Sequence, residues 1–306
     1  MAGNYVRYRY YGGCFFCYIK LFVKKLASEL RNIKVSHIRE TLFKERGKKM
    51  AFNTIIYETN NGIGYITINR PKALNALSEE ALTELSEALD MAAKDDDAKV
   101  VIITGAGGRA FVAGADISAM QHMTAVEAYD YARLGQTTYN KIQDMPKIVI
   151  AAIDGFALGG GCELALACDI RVASAKSQIG IPEVTLGVFP GFAGTQRLPR
   201  LVGTGIAKEM LATARKVHAD EAKEIGLVNY VVDENPLAKA EELAAQICKN
   251  SMSAIALGKK AMNEGMEMEL KKGIEHEASL FAVAFTTEDQ REGMTAFLEK
   301  RPANFK

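Results

Sequence analysis

The sequence has no tryptophan and is poor in histidine, cysteine and uninterrupted apolar runs. The missing tryptophan excludes nothing by itself, but the other scarcities do. The four histidines, His37, His122, His218 and His276, show no ligand spacing, so no metal is expected. Five cysteines without paired spacing in the main body argue against a disulfide framework and fit a reducing compartment. The lone Cys14-x-x-Cys17 has neither a second pair nor a following βαβ unit, so it is not read as a metal or redox site. No apolar stretch approaches the roughly 20 residues of a membrane span. The formal net charge of +1 gives no nucleic-acid footprint. The glycine runs do not spell a dinucleotide or nucleotide motif either. "GAGGRA" after Thr104 has the wrong spacing, "LGGGCEL" lacks a second spacer, and there is no P-loop signature.

The near-neutral total conceals an asymmetry. Residues 1–49 carry 12 Lys/Arg against 3 Asp/Glu, a balance of +9 that leaves −8 for the remainder. This basic, aromatic extension differs in composition from the rest of the chain and is set apart from the core. One reading is a targeting presequence, although Lys20 interrupts its apolar stretch and no small-residue cleavage site stands out. The other takes Met50 as the true start. The first implies a mitochondrial matrix location, the second a bacterial-type cytoplasmic one.

From residue 52 the pattern is regular. "NTIIYETNNGIGYITINRP" reads as two strands around an Asn60-Asn61-Gly62 turn, and "SEEALTELSEALDMAAKD" as a helix capped by Ser78. "KVVIITGAGG" and "KIVIAAIDG" are buried strands. "AFVAGADISAM" reads as a loop entering a helical region that extends to Met145, and "DIRVASAKSQIGIPEV" as strand, loop and short extended piece. A helix with Gly226 as its C-cap and a strand come next, and beyond Pro236 the chain is nearly all helix. Strands alternating with helices give an α/β core at 52–250, with an appended helical subdomain at 251–306.

Chemistry concentrates in "GFALGGGCELALACDI", residues 155–170, where three glycines directly precede a glutamate at a helix start. Glycines at a helix N-terminus present free N–H groups reinforced by the helix dipole, a site for an oxygen anion. The second glycine loop, "FVAGADI", offers another N–H. If both point at one spot, the ligand is a carbonyl becoming an enolate, and Glu163 is at hand to move a proton. The bland reading is a tight packing glycine run, with Glu163 favouring its own helix dipole.

The run "IAAIDGFALGGGCELALACDIRVAS" resembles the signature of the crotonase family, the enoyl-CoA hydratases and isomerases. "INRPKALNAL", "FVAGADISAM", "IPEVTLGVFPGFAGTQRLPRLVG", "ADEAKEIGLVN" and "TTEDQREGMTAFLEKRPANF" look like further family segments in family order, covering nearly all of 52–306. The likeness is greatest to the short-chain hydratases, including the bacterial crotonases of butyrate metabolism. The resemblance implies an α/β spiral of ββα repeats with a C-terminal helical oligomerisation subdomain, assembled as a homo-trimer or hexamer. It assigns the oxyanion-hole amides to Ala115 and Gly160, and the catalytic carboxylates to Glu163 and Glu183. Coenzyme A contacts fall on Lys72, Ala73, Leu74, Ala115, Asp116, Ile117 and Ser118, and through oligomer packing on Phe281 and Lys300. The implied substrate is an acyl-CoA, with no cofactor beyond its own coenzyme A and no nucleic-acid or membrane partner.

The implied reaction is reversible hydration of a short-chain trans-2-enoyl-CoA such as crotonyl-CoA to the 3-hydroxyacyl-CoA. It needs one group to deprotonate water attacking C3 and a proton delivered to C2, the latter assigned to Glu183. A double-bond isomerase needs only one such group, so two carboxylates favour the hydratase. An RNA-binding or scaffolding role would call for a basic surface, whereas the core is net acidic. Taken alone, Glu183 also reads as a loop acid capping "VTLG", Asp116 as a loop hydrogen-bonding residue, and Cys162 and Cys168 as small core residues. Met266 and Met268 read as packing. The sequence departs from the family pattern at Ile181, where relatives often carry Gln, and at Ala193, where Gly is common. Both departures are expected to reshape the acyl pocket.

Overall fold

The computed structural model describes residues 49–305, so the Cys14-x-x-Cys17 pair and all but the last residue of the basic extension lie outside it. Two apolar runs, Val100–Gly105 (β4) and Ile148–Ile153 (β6), lie side by side in the middle of a seven-stranded sheet. Continuous rather than alternating hydrophobicity is what parallel strands covered on both faces require. Ile55–Asn60 (β2) and Ile63–Ile68 (β3) form the expected hairpin, with Asn61 and Gly62 both at positive φ. Lys49–Ala51 (β1) extends this edge antiparallel to β2, so the sheet begins just ahead of the expected core boundary. From β3 the order runs through β4, β6, Ile170–Ser174 (β8) and Tyr230–Val232 (β11), all parallel.

A second, smaller sheet corrects the sequence reading. "AFV", read there as part of a loop, is the strand Ala110–Val112 (β5), and Phe156–Leu158 (β7) precedes the glycine run as another. With Gln178–Gly180 (β9) and Val217–His218 (β10) they form a four-stranded sheet ordered β10-β9-β7-β5. Three-residue strands show neither alternation nor length, the two signals by which strands are recognised. Each repeat therefore contributes one strand to each sheet before its helix: β4, β5 and then Ala125–Asp144, and β6, β7 and then Gly160–Ala167. The chain is an α/β spiral of ββα turns.

The helices are numbered α1 Glu79–Lys94, α2 Ile117–Met120, α3 Ala125–Asp144, α4 Gly160–Ala167, α5 Gly194–Val202, α6 Thr204–Thr213, α7 Ala219–Glu224 and α8 Pro236–Ile247. Ser78 caps α1 by accepting from the Ala81 N–H, and Thr124 closes a capping box with Glu127 on α3. Helix α8 lays Ala240 and Ala244 on Val100, Ile102, Ile150 and Val172 of the large sheet. Three further helices complete the chain: α9 Met252–Gly265, α10 Leu270–Ala284 and α11 Glu288–Leu298. They expose a series of large apolar side chains, among them Met262, Leu270, Ile274, Phe281, Phe297 and Leu298. Met266 and Met268, read as packing residues, are likewise exposed within this chain. Among the described residues, no helix is long and apolar enough to cross a membrane.

Candidate active site

Helix α4 is buried along its whole length, and its first residue comes directly after the glycine bend at Gly159 (φ +52°). Its N-terminus sits tightly against β5. A Cβ on Gly161 would stand 2.0 Å from the Val112 carbonyl oxygen, so only glycine permits this approach. The Tyr139 hydroxyl, fully buried on α3, donates to the Gly160 carbonyl at 2.7 Å and fixes that peptide from behind.

The loop after β5 runs parallel to residues 74–77. The Ala113 N–H donates to the Leu74 carbonyl, the Leu77 N–H to Gly114, and the Asp116 N–H to Leu77. This ladder leaves out the Ala115 N–H, which has no backbone partner among the described residues; the same holds for the Gly160 N–H. A Cβ built on Gly160 would lie 3.7 Å from the Ala115 nitrogen, so the two free amides are neighbours. Both line one cavity of about 770 Å³, together with Glu163 and Glu183.

Glu163, one turn into α4, is only 2% exposed. Its Oε1 accepts from the Phe192 N–H at 2.8 Å and from the Gly194 N–H at 2.7 Å, which leaves Oε2 for the cavity. A Cβ at Gly194 would come within 2.8 Å of that carboxylate, so the clamp depends on a glycine there. Burial pushes the Glu163 carboxyl up to about 7. The Glu183 charge adds to the rise, and the two N–H donors and the Arg197 charge oppose it. Glu183 lies in the short 3-10 turn Pro182–Leu186 and is likewise raised, chiefly by burial. Its Oε2 is buried with no hydrogen-bond partner among the described residues. Two raised carboxyls therefore face one cavity beside two free amides, an arrangement that can polarise a carbonyl and shuttle a proton next to it.

Most of the remaining cavity wall is apolar, with Gln136, Asn140, Thr185, Thr195 and Gln196 among its polar members. Phe192 is wedged edge-on between Tyr131 and Tyr139, at 5.3 and 5.6 Å between ring centroids, while Met120, Val188 and Phe189 stand nearer solvent.

The other residues named from sequence divide into three groups. Ile117 lines the cavity beside Ala115, and Asp116 and Ser118 flank it. Asp116 accepts from the Ser118 hydroxyl at 2.5 Å and from the Arg70 guanidinium at 3.1 Å, which hold its carboxyl below the usual range. That is the loop-bonding role. Lys72, Ala73 and Leu74 lie on and just after the 3-10 turn Pro71–Ala73, tied to the oxyanion loop through the Leu74 carbonyl but outside the cavity lining. Phe281 and Lys300 are also outside it; Phe281 is 65% exposed and stacks edge-on against Phe285. Cys162 and Cys168 are buried core residues, as expected. Of the two departures, Ala193 lines the cavity, at φ +77° where glycine is unstrained. Ile181 does not; it is buried next to the lining residues Pro182 and Glu183. Sequence reasoning missed the clamp on Glu163 from Phe192 and Gly194, some thirty residues away. Backbone amides leave no mark in a sequence, and the only available signal was the glycine in "FAGTQRL".

Known proteins resemble this chain in sequence and in fold. The profile of the enoyl-CoA hydratase/isomerase family matches residues 58–306. A crotonyl-CoA hydratase of Syntrophomonas wolfei is 50% identical over 257 residues, 84% of this chain and 99% of that protein. A short-chain-enoyl-CoA hydratase of Clostridium acetobutylicum is 47% identical over 253 residues, 82% of this chain and 97% of its own. Among solved structures, an enoyl-CoA hydratase from Bacillus anthracis superposes with a TM-score of 0.80 at 40% identity, covering 83% of this chain and 99% of that one.

Proposed function

The chain belongs to the enoyl-CoA hydratase/isomerase family, and we infer that it hydrates short-chain trans-2-enoyl-CoA through Glu163 and Glu183. The observation that carries this reading is the convergence of two raised carboxyls and two unpartnered amides on one apolar-walled cavity. The thioester carbonyl accepts from the Ala115 and Gly160 N–H groups, which stabilise the negative charge that develops on that oxygen. Water held between the carboxyls adds through its oxygen to C3 and gives its proton to Oε2 of ionised Glu163. The C2=C3 electrons move onto the thioester as an enolate. When the enolate collapses, C2 takes the proton of Glu183, giving the 3-hydroxyacyl-CoA. The pair begins and ends with one proton, so the site runs equally well in reverse. Beyond the coenzyme A of the substrate itself, the chemistry calls on no cofactor.

We further propose that the exposed apolar face of α9–α11 assembles the chain into a homo-trimer or hexamer. In that assembly Phe281 and Lys300 would reach a coenzyme A site, with Lys72 to Leu74 on its other side. Placement in the cytoplasm and in butyrate or fatty-acid metabolism belongs to the same proposal, supported by the bacterial relatives. The test is loss of the 2-enoyl chromophore with crotonyl-CoA compared with longer enoyl-CoAs. The expected result is turnover highest with the four-carbon substrate. Conversion of a 3-enoyl to a 2-enoyl thioester without hydration would favour the isomerase instead.

A further inference from the structure

Arg197 on α5 is a half-buried guanidinium with no carboxylate within ion-pair distance among the described residues. All its hydrogen bonds go to neutral acceptors. Nη2 donates to Asn140 Oδ1 at 2.7 Å and to Gln143 Oε1 at 3.2 Å, and Nε donates to the same Gln143 oxygen at 3.3 Å, both partners lying on α3. Nη1 donates to the Phe192 carbonyl at 3.3 Å. The N–H of that same residue, Phe192, donates to Glu163 Oε1. A cation held partly out of water, with no carboxylate at ion-pair distance, still acts on a nearby ionisable group.

We propose that Arg197 is a positioning residue that keeps Glu163 ionised, and so able to take the proton of water, at neutral pH. It acts through Phe192, whose carbonyl it holds, and through a charge that no carboxylate pairs at ion-pair distance among the described residues. Arg197 faces Glu163, the buried hydroxyl of Tyr139 and thiol of Cys168, and Asp144 at the end of α3. Tyr139 and Cys168 are driven up by burial and stay neutral. Arg200, Lys259, Asp169 and Arg171 share the second cavity that Arg197 borders, and Lys259 is matched there by Asp169 at 2.8 Å. Glu163 itself faces Glu183, Tyr139 and the neutral thiol of Cys162. Arg197 thus joins the Gly194 and Phe192 N–H donors in opposing the rise that burial and Glu183 impose on Glu163.

The inference rests on Glu163 being the ionised base, and the experiment separates the two. The pH dependence of kcat/KM for crotonyl-CoA hydration is recorded for the unaltered protein and for Arg197→Met, Arg197→Gln, Arg197→Lys and Glu163→Gln. Both neutral variants should move the acid limb up by about one pH unit, with activity recovering at higher pH. Arg197→Lys, which keeps the charge but not the fork, should restore most of the original limb. An acid limb that stays put in the neutral variants, or moves equally in Arg197→Lys, overturns the inference. Neutral variants that do not fold, as judged by circular dichroism, would also overturn it, because Arg197 would then be structural. If the acid limb persists in Glu163→Gln, the assignment of Glu163 fails instead.

Discussion

Glu163 shows how burying one carboxyl ties stability to pH. Its carboxyl is raised from 4.5 to about 7 in the folded chain, first of all by burial. Between those values the folded state holds a proton that the unfolded chain has released, so stability falls as pH rises through this window. Glu163→Gln cannot ionise, yet its amide oxygen still accepts from Phe192 and Gly194. The variant should match the parent near pH 4 and exceed it at pH 8 by on the order of 1–3 kcal/mol, read from thermal or denaturant melts at the two pH values. Equal stability at both would mean that the buried carboxylate costs nothing. Part of this scale was legible in the sequence: "GGGCE" and "IPEV" singled out Glu163 and Glu183, which the fold brings to one cavity. The N–H donors that hold Glu163 and the cation beside it come from α5 and the loop before it, and only the folded chain shows them.

Elements of ordinary length were legible, and the shortest were not. Ser78 marked a helix start, Gly226 at φ +76° lies just past the last residues of α7, and the buried runs of β4 and β6 stood out. Strands β5 and β7 were lost because three residues show no period, and it is they that set the loop after β5 beside α4. The junction is tested by Gly161→Ala. Its methyl would meet the Val112 carbonyl, backbone that cannot rotate away, so either β5 or α4 must shift. Overpacking of this kind costs typically 1–3 kcal/mol. Because the shift moves Ala115 relative to Gly160, kcat should fall by at least tenfold even where circular dichroism is unchanged. A variant with parental kcat and melting temperature would show that the contact is slack.

For the whole molecule, the sequence indicated α/β repeats and then helices, while the exposed apolar face of α9–α11 emerged only once the chain was folded. A single chain brings Ala115, Gly160, Glu163 and Glu183 to one cavity but leaves Phe281 and Lys300 outside its lining. If those two serve coenzyme A, a second copy must bring them there. Phe297 and Leu298 are 82% and 79% exposed, so replacing both by Glu should disturb a lone chain by no more than about 0.5 kcal/mol. Sedimentation should nevertheless show a smaller assembly, with KM for crotonyl-CoA raised more than kcat is lowered. Unchanged mass and KM would place the interface elsewhere.

The central claim is that two carboxyls from successive repeats act as one unit on one water. It is tested most directly by the rate of crotonyl-CoA hydration in Glu163→Gln, Glu183→Gln and the double variant. Each single change should lower kcat by roughly 10²–10⁴ with KM little altered, and the double should lose far less than the product of the two. Near-parental turnover in either single variant, or losses that multiply in the double, would contradict it.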